Sequence, residues 1–167
     1  MIKKKEVSQE ASKEPEKIEE RKISIKGLLA SEKVIAEDSE DARALYDQSR
    51  FGEPSDGKIN YSLVEALYLL EKNKMEIYED NNKITFDNFI KKARKVEPNF
   101  SIRYAAFKDM RNRGYIVKTA LKFGADFRIY DRGIKPGEDH AKWIMYPVHE
   151  GGTLTWYEFS AKNRVAH

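Results

Sequence analysis

Apolar residues in this chain come in short groups separated by charged and turn-forming residues. The longest uninterrupted apolar run is only a few residues, far below the roughly 20 that a membrane-spanning helix needs. Charged residues make up 35% of the chain and hydrophobic residues 40%, so the core has to be assembled from amphipathic helices and half-buried strands. Because the charged amino terminus also lacks the apolar segment of an export signal, we expect a cytoplasmic protein without membrane contact.

The chain contains no cysteine among its 167 residues. This excludes a disulfide framework, a thiol nucleophile and any zinc or iron–sulfur site built on thiolates. No pair of histidines has the spacing of metal ligands on one element. The sequence therefore predicts neither a metal nor another cofactor.

Local signals divide the chain into three parts. Residues 1–22 carry 13 charged side chains and little aliphatic periodicity, which predicts a flexible tail. Residues 23–97 are predicted to form a small α+β amino-terminal domain, and residues 98–167 a second α/β domain with a mixed central sheet. The predicted fold class is therefore α+β.

Helix caps and glycine-bearing turns predict where the helices and strands of both domains begin and end. Ser62 and Glu65 have the spacing of a capping box, as do Thr155 and Glu158. The sequence predicts helices that begin near positions 41, 62, 87, 101 and 155, with Pro98 ending the third and Gly114 capping the fourth. Strands are predicted at 23–29, 33–36, 75–78, 115–119, 126–130 and 141–148, and a loop at 52–57.

The positive charge is concentrated towards the carboxy end. Residues 101–167 carry 12 Lys or Arg against 7 Asp or Glu, whereas residues 1–100 carry 19 against 21. Eight of those 12 basic residues lie between Arg103 and Arg132, among six aromatic residues. Basic groups beside aromatic rings are typical of nucleic-acid binding, and the alternative is an ordinary solvated protein face.

Two residues of the second domain could transfer protons. His140 lies at a predicted junction between a loop and a strand, where a histidine can face a cleft; the alternative is a surface or hydrogen-bonded loop residue. Tyr130 ends a predicted strand between Arg128 and Arg132, and cationic neighbours would lower its pKa from about 10, as a general base requires. A structural tyrosine beside solvated arginines is equally compatible with this pattern.

Three segments of the sequence resemble the archaeal tRNA-splicing endonucleases. They are Arg113-Gly114-Tyr115-Ile116-Val117-Lys118-Thr119 followed by 121–130, the terminal Arg164-Val165-Ala166-His167, and the upstream helix at 61–70. The resemblance covers about residues 23–167. It implies a metal-independent endoribonuclease that excises introns from precursor tRNA at a bulge-helix-bulge, leaving a 2′,3′-cyclic phosphate and a 5′-hydroxyl.

The same resemblance implies roles for individual residues. By position, the catalytic tyrosine of the family falls on Tyr130, its catalytic histidine on His140, and an arginine that helps clamp a bulged base on Arg164. The third catalytic residue of the family is a lysine four residues beyond the histidine that corresponds to His167, and Lys162 lies on the wrong side of that motif to replace it. We therefore expect either a fragment, truncated within its last helix, or an inactive isolated polypeptide.

The resemblance also implies partners. The family assembles as a homotetramer, a dimer of double-length chains or a heterotetramer. A single-length chain with both Tyr130 and His140 fits a homotetramer or the catalytic subunit of a heterotetramer. The loop Pro147 to Thr153 resembles the acidic loop that relatives insert into a basic pocket of a neighbouring subunit. The alternative function, suggested by the missing lysine, is a non-catalytic RNA-binding or assembly subunit.

Overall fold

The computed structural model describes residues 25–120, 124–134, 137 and 139–165. The predicted flexible tail and His167 therefore lie outside the described residues. No helix of the described ranges is long and apolar enough to cross a membrane.

The first unit is built on a mixed six-stranded sheet in the order β3-β4-β2-β1-β5-β6. Strands β1 and β5 are parallel, and the other neighbouring strands are antiparallel. The strands are β1 (Ile25–Ala30), β2 (Lys33–Glu37), β3 (Glu53–Ser55), β4 (Lys58–Ser62), β5 (Met75–Glu79) and β6 (Asn82–Lys83).

Three helices of this unit begin at hydroxyl-bearing residues. They are α1 (Glu40–Ser49), α2 (Leu63–Glu71) and α3 (Phe86–Val96). Ser39, Ser62 and Thr85 each accept a hydrogen bond from a backbone N–H of the first turn, which satisfies a donor that the helix leaves unpaired. The predicted capping box of Ser62 and Glu65 is confirmed, because both reciprocal bonds are present.

The second unit consists of α4 (Phe100–Asn112), β7 (Ile116–Thr119), β8 (Phe127–Tyr130), β9 (Trp143–Met145) and α5 (Trp156–Val165). The described strands form an antiparallel sheet in the order β7-β8-β9. The α+β class is thus confirmed, although the mixed sheet lies in the first unit and the described part of the second sheet is antiparallel. The domain boundary at 97/98 stays a prediction.

One apolar core runs through both units. The Phe107 ring on α4 lies 5.8 Å from the Phe127 ring on β8 and 6.0 Å from the Tyr68 ring on α2. Tyr68 in turn stacks on Phe51, at 5.6 Å between ring centroids. Packing of such large rings against one another contributes strongly to stability.

Two local predictions differ from the structure. The predicted loop at 52–57 contains strand β3 and the turn of a β3–β4 hairpin, because Asp56 and Gly57 both adopt left-handed backbone angles (φ 49° and 74°) that suit a two-residue hairpin turn. The predicted strand at 141–148 is shorter, ending at Met145, and Val148 is 55% exposed.

Helix α5 begins at the predicted capping box but is weakly packed. Thr155 and Glu158 exchange the expected hydrogen bonds: Glu158 Oε2 accepts from Thr155 N at 2.8 Å, and Thr155 Oγ1 accepts from Glu158 N at 3.2 Å. Apolar side chains at its amino end are nevertheless exposed, Trp156 by 83% and Tyr157 by 78%.

Candidate active site

The β8–β9 pair brings the two predicted proton-transfer residues to one end of the second sheet. Tyr130 is the last residue of β8, where it lies opposite Ile116 of β7. His140 lies in the connection that returns to β9. The returning chain is held to β8 by the hydrogen bond from Lys142 N to Ile129 O, at 2.9 Å. The antiparallel pairing therefore places Tyr130, the last residue of β8, and His140, in the connection to β9, at the same end of this strand pair, although they are ten positions apart in the sequence.

Tyr130 is enclosed by its own chain. Its exposure is only 3%, so no more than a small edge of the side chain can meet a substrate. Of the two flanking arginines, Arg132 lies over the Tyr115 ring at 5.6 Å, and Arg128 is half-buried on β8. The predicted role of these cations in activating Tyr130 stays a prediction.

His140 is exposed and held at its backbone. Its N–H donates to Asp139 Oδ1 at 2.7 Å, which fixes the direction of the chain before β9. Two residues later, Lys142 Nζ donates to Asp131 Oδ2 at 2.8 Å and joins the two sides of the connection. This bond with Asp131 raises the pKa of Lys142. The imidazole therefore stands on a short, braced segment with access to solvent.

Arg164 lies apart from this pair within one chain. It is exposed in the last turn of α5, and the same turn carries Lys162, whose Nζ is 4.3 Å from the centre of the Tyr146 ring. The Tyr146 hydroxyl donates to Gly124 O at 3.0 Å, before β8 begins. The end of α5 therefore contacts the end of the β8–β9 pair that is opposite to Tyr130.

A buried ion pair that the sequence analysis missed joins the two units. Lys118 Nζ on β7 donates to Glu65 Oε1 on α2 at 2.9 Å, and the two residues are 6% and 3% exposed. The ammonium also donates to Arg50 O at 3.2 Å and Gly52 O at 2.9 Å. Burial disfavours the Glu65 carboxylate, but the Lys118 charge and the hydrogen bonds hold the pKa of Glu65 below its ordinary value.

Arg111 of α4 holds the same segment of the first unit. It donates to Ser49 O at 2.6 Å and to Tyr115 O at 3.3 Å, and its guanidinium lies 3.6 Å from the centre of the Phe51 ring. Burial lowers the pKa of Arg111 to about 10, an effect that the Glu65 charge opposes. Two buried cations of the second unit therefore fasten residues 49–52 of the first.

A basic cleft of about 270 Å³ opens between the two units beside these contacts. Its lining includes three cationic residues, three aromatic residues and no acidic residue. The lining residues are Gln48, Ser49, Phe51, Tyr68, Leu69, Lys72, Lys74, Arg111, Gly114, Tyr115, Ile116 and Gly133. Gly133 is three positions beyond Tyr130, so the cleft adjoins the connection between β8 and β9, in which His140 lies.

One sequence signal could have revealed the buried cation on β7. Lys118 follows two apolar residues in a predicted strand, Ile116 and Val117, and all three are buried. A charge within a short buried strand requires a partner, because desolvating an unpaired ion is costly. The sequence does not show which of its many carboxylates that partner is.

Both units match models of known protein domains. Residues 25–90 match the family model described as the N-terminal domain of tRNA intron endonuclease, and residues 100–167 match the model of its catalytic C-terminal domain. The two matches together cover most of the described chain, in the order of the two folded units.

Curated relatives agree with the family models. The chain is 36% identical to the tRNA-splicing endonuclease of Thermococcus onnurineus over 146 residues, which are 87% of this chain and 84% of the relative. It is 36% identical to that of Methanothermobacter thermautotrophicus over 145 residues, with the same shares covered. It is also similar to the tRNA-splicing endonuclease of Nanoarchaeum equitans, at 49% identity over 111 residues, which are 63% of this chain and 72% of the relative.

Proposed function

Because the chain belongs to the tRNA intron endonuclease family, we propose that it cleaves precursor tRNA at bulge-helix-bulge intron junctions. The products are a 2′,3′-cyclic phosphate and a 5′-hydroxyl, and the reaction needs no metal ion. The observation that carries this proposal is the match of both family domains, in order, to the two units of the fold. The position of Tyr130 and His140 at one end of the β8–β9 pair supports it.

The proposed reaction is an internal transfer at one phosphate. The ribose 2′-oxygen attacks the adjacent phosphorus, the new O2′–P bond forms, and the P–O5′ bond breaks. Tyr130 accepts the proton of the 2′-hydroxyl, and protonated His140 donates a proton to the departing 5′-oxygen. Since nucleophile and phosphate belong to one nucleotide, the protein has to supply alignment, proton transfer and stabilisation of charge.

Arg164 is placed to bind RNA in the active site of a second copy of the chain. We propose that its guanidinium stacks on an unpaired base of the bulge, as planar cations do on aromatic rings. Its helix end contacts the β8–β9 pair opposite to Tyr130. A site that uses Tyr130, His140 and Arg164 together is therefore more easily completed by two chains than by one.

Assembly through the basic cleft is the second part of the proposal. The loop at 147–153 is exposed from Val148 onward and carries Glu150, while Lys72, Lys74 and Arg111 line the cleft without an acidic neighbour in its lining. We propose that the loop of one copy enters the cleft of another, so that the chain forms a homotetramer or the catalytic subunit of a heterotetramer. Opposite charges at these two surfaces favour this pairing.

Charge reversal in the cleft tests the assembly. We expect the Lys72→Glu/Lys74→Glu variant of the full-length protein to have about half the wild-type mass by light scattering, because like charges would repel the loop. The matched control is Lys33→Glu/Lys58→Glu, which reverses two exposed lysines on the sheet of the first unit. Equal masses for the cleft variant and the wild type would contradict insertion of the loop.

Cleavage of a minimal bulge-helix-bulge RNA tests the function. We expect the full-length protein to cleave it in excess EDTA, and end-group analysis to find a 2′,3′-cyclic phosphate and a 5′-hydroxyl. An RNA with 2′-deoxyribose at the cleavage positions is the control, since it lacks the nucleophile. Binding without cleavage would favour the alternative, a non-catalytic RNA-binding or assembly subunit, and products with a 5′-phosphate would contradict the proposed chemistry.

A further inference from the structure

Helix α3 of the first unit carries an unusual surplus of positive charge. Lys91, Lys92, Arg94 and Lys95 lie within five consecutive positions, and Asp87 is the acidic residue of the helix. The net charge of this one helix is thus +3, which equals the net charge of the whole chain. The helix is therefore a local basic element within residues 1–100, which as a whole carry 19 Lys or Arg against 21 Asp or Glu.

A groove of about 360 Å³ runs between α3 and the β5–β6 hairpin. Within it Lys92 Nζ pairs with Glu79 at 2.7 Å, and on the hairpin Lys83 Nζ pairs with Glu76 at 2.6 Å. Among the residues described by the structure, Lys91 and Lys95 have no carboxylate partner. The lining residues are Glu79, Asp80, Asn82, Lys83, Ile84, Asn88, Lys91, Lys92 and Lys95.

The unpaired groups of the groove follow one face of the helix. Asn88, Lys91 and Lys95 are separated by three and four positions, so they lie on neighbouring turns of the same face. Lys91 and Lys95 are about 6 Å apart along the helix axis, at about 1.5 Å per residue. Two ammonium groups and an amide at this spacing can donate hydrogen bonds to phosphate oxygens along a sugar–phosphate backbone.

Helix stability alone does not require this arrangement. Cations in the last turn interact favourably with the helix dipole, which accounts for Arg94 and Lys95. The dipole does not account for Lys91, which lies before that turn, whereas Lys92 is accounted for by its ion pair with Glu79. A solvated helix face needs polar residues, but it does not need four charges of one sign, and like charges one turn apart repel each other.

We propose that this groove binds the RNA backbone of precursor tRNA outside the intron junction. The inference rests on the proposed function, because a precursor tRNA extends well beyond the cleavage sites and presents phosphates to a second surface. Contacts by Lys91 and Lys95 to phosphate would release counterions and add affinity without reading the base sequence. The first unit would then contribute to the recognition of the tRNA body and not to the chemistry.

Binding of the tRNA body by the α3 groove can be distinguished from binding at the intron junction with two RNAs of different size. The probes are a complete precursor tRNA and a minimal bulge-helix-bulge duplex, both with 2′-deoxyribose at the cleavage positions. For Lys91→Ala/Lys95→Ala we expect about tenfold weaker binding of precursor tRNA at 0.1 M salt, and a log–log salt slope that is lower by about 1.5 to 2. For the minimal duplex we expect an affinity within about twofold of the wild type, because under this proposal a duplex bound at the junction makes no contact with α3.

The matched control removes two lysines from another face of the same unit. Lys33→Ala/Lys58→Ala changes the net charge equally, and we expect it to retain wild-type affinity for both RNAs. Equal loss in the two variants, or wild-type binding of precursor tRNA by Lys91→Ala/Lys95→Ala, would overturn the inference. So would unchanged RNA affinity with a changed oligomeric mass, which would assign the groove to a protein partner.

The two proposals can fail separately. If the wild-type protein cleaves neither unmodified RNA, the proposed function fails, while the binding comparison still reports on the groove. If the wild type cleaves both RNAs and the α3 variant binds them like the wild type, the inference about the groove fails alone. Alanine preserves the helix at positions 91 and 95, and a thermal unfolding curve checks that the variant is folded.

Discussion

Replacing His140 by alanine lowers the rate of RNA cleavage by about 10²- to 10⁴-fold, the usual contribution of a general acid. The loss follows because the departing 5′-oxygen would leave as an alkoxide without its proton donor. Since His140 is exposed and donates to Asp139 through its backbone N–H, the substitution preserves the fold. Single-turnover cleavage of the minimal bulge-helix-bulge RNA, with protein in excess, measures the chemical step.

His149→Ala is the matched control for this variant. His149 is also an exposed loop histidine, on the other side of β9, and its Nδ1 accepts from Gly151 N at 3.1 Å. Because His149 lies in the loop proposed to enter the cleft of another copy, light scattering first checks that the control has the wild-type oligomeric mass; at equal mass we expect it to cleave at close to the wild-type rate. Undiminished cleavage by the His140 variant, or an equal loss in both variants, would exclude His140 as the general acid.

The second large effect is expected for Tyr130→Phe. If the hydroxyl is the general base, its removal slows RNA cleavage by about 10²- to 10⁴-fold. Phenylalanine preserves the ring that is buried at the end of β8, so packing changes little. The affinity for RNA with 2′-deoxyribose at the cleavage positions is expected to stay within about threefold, because a base acts in the transition state and not in binding. Single-turnover rates and equilibrium binding together separate these effects.

Tyr146→Phe provides the comparison at the opposite end of the same strand pair. It also removes one tyrosine hydroxyl, which donates to Gly124 O at 3.0 Å, and it leaves the Tyr130 end of the sheet unchanged. We expect this variant to retain most of the cleavage rate. A Tyr130 variant that cleaves as fast as the wild type would show that another group removes the 2′-proton.

Much of the local structure follows from short-range signals. The capping boxes at Ser62 and Thr155 begin helices where predicted, because each side chain satisfies a backbone donor only a few residues away. Pro98 and Gly114 separate and end helices for similarly local reasons: the first cannot continue the hydrogen bonding, and the second adopts a left-handed φ of 90°. These effects depend on neighbours in the sequence, so the sequence is sufficient to predict them.

The contacts between the two units required the tertiary structure. Glu65 was recognised as part of a capping box, and it also binds Lys118, which lies 53 positions later in the chain. The same holds for Arg111 and Ser49, which are 62 positions apart. Sequence spacing carries no information about such pairs, whose formation depends on how the α2 and α4 helices and β7 pack around a common core.

By itself, the sequence predicted the five described helices, six of the nine described strands and the family, and it supplied Tyr130, His140 and Arg164 as candidate site residues. Only the tertiary structure decided their neighbours: Tyr130 and His140 at one end of the β8–β9 pair, the end of α5 with Arg164 at the other, and a basic cleft between the units. The physical reason is the distance along the sequence over which each interaction acts. Capping and periodicity act over a few residues, whereas the position of a charge or ring depends on packing between segments far apart in the chain.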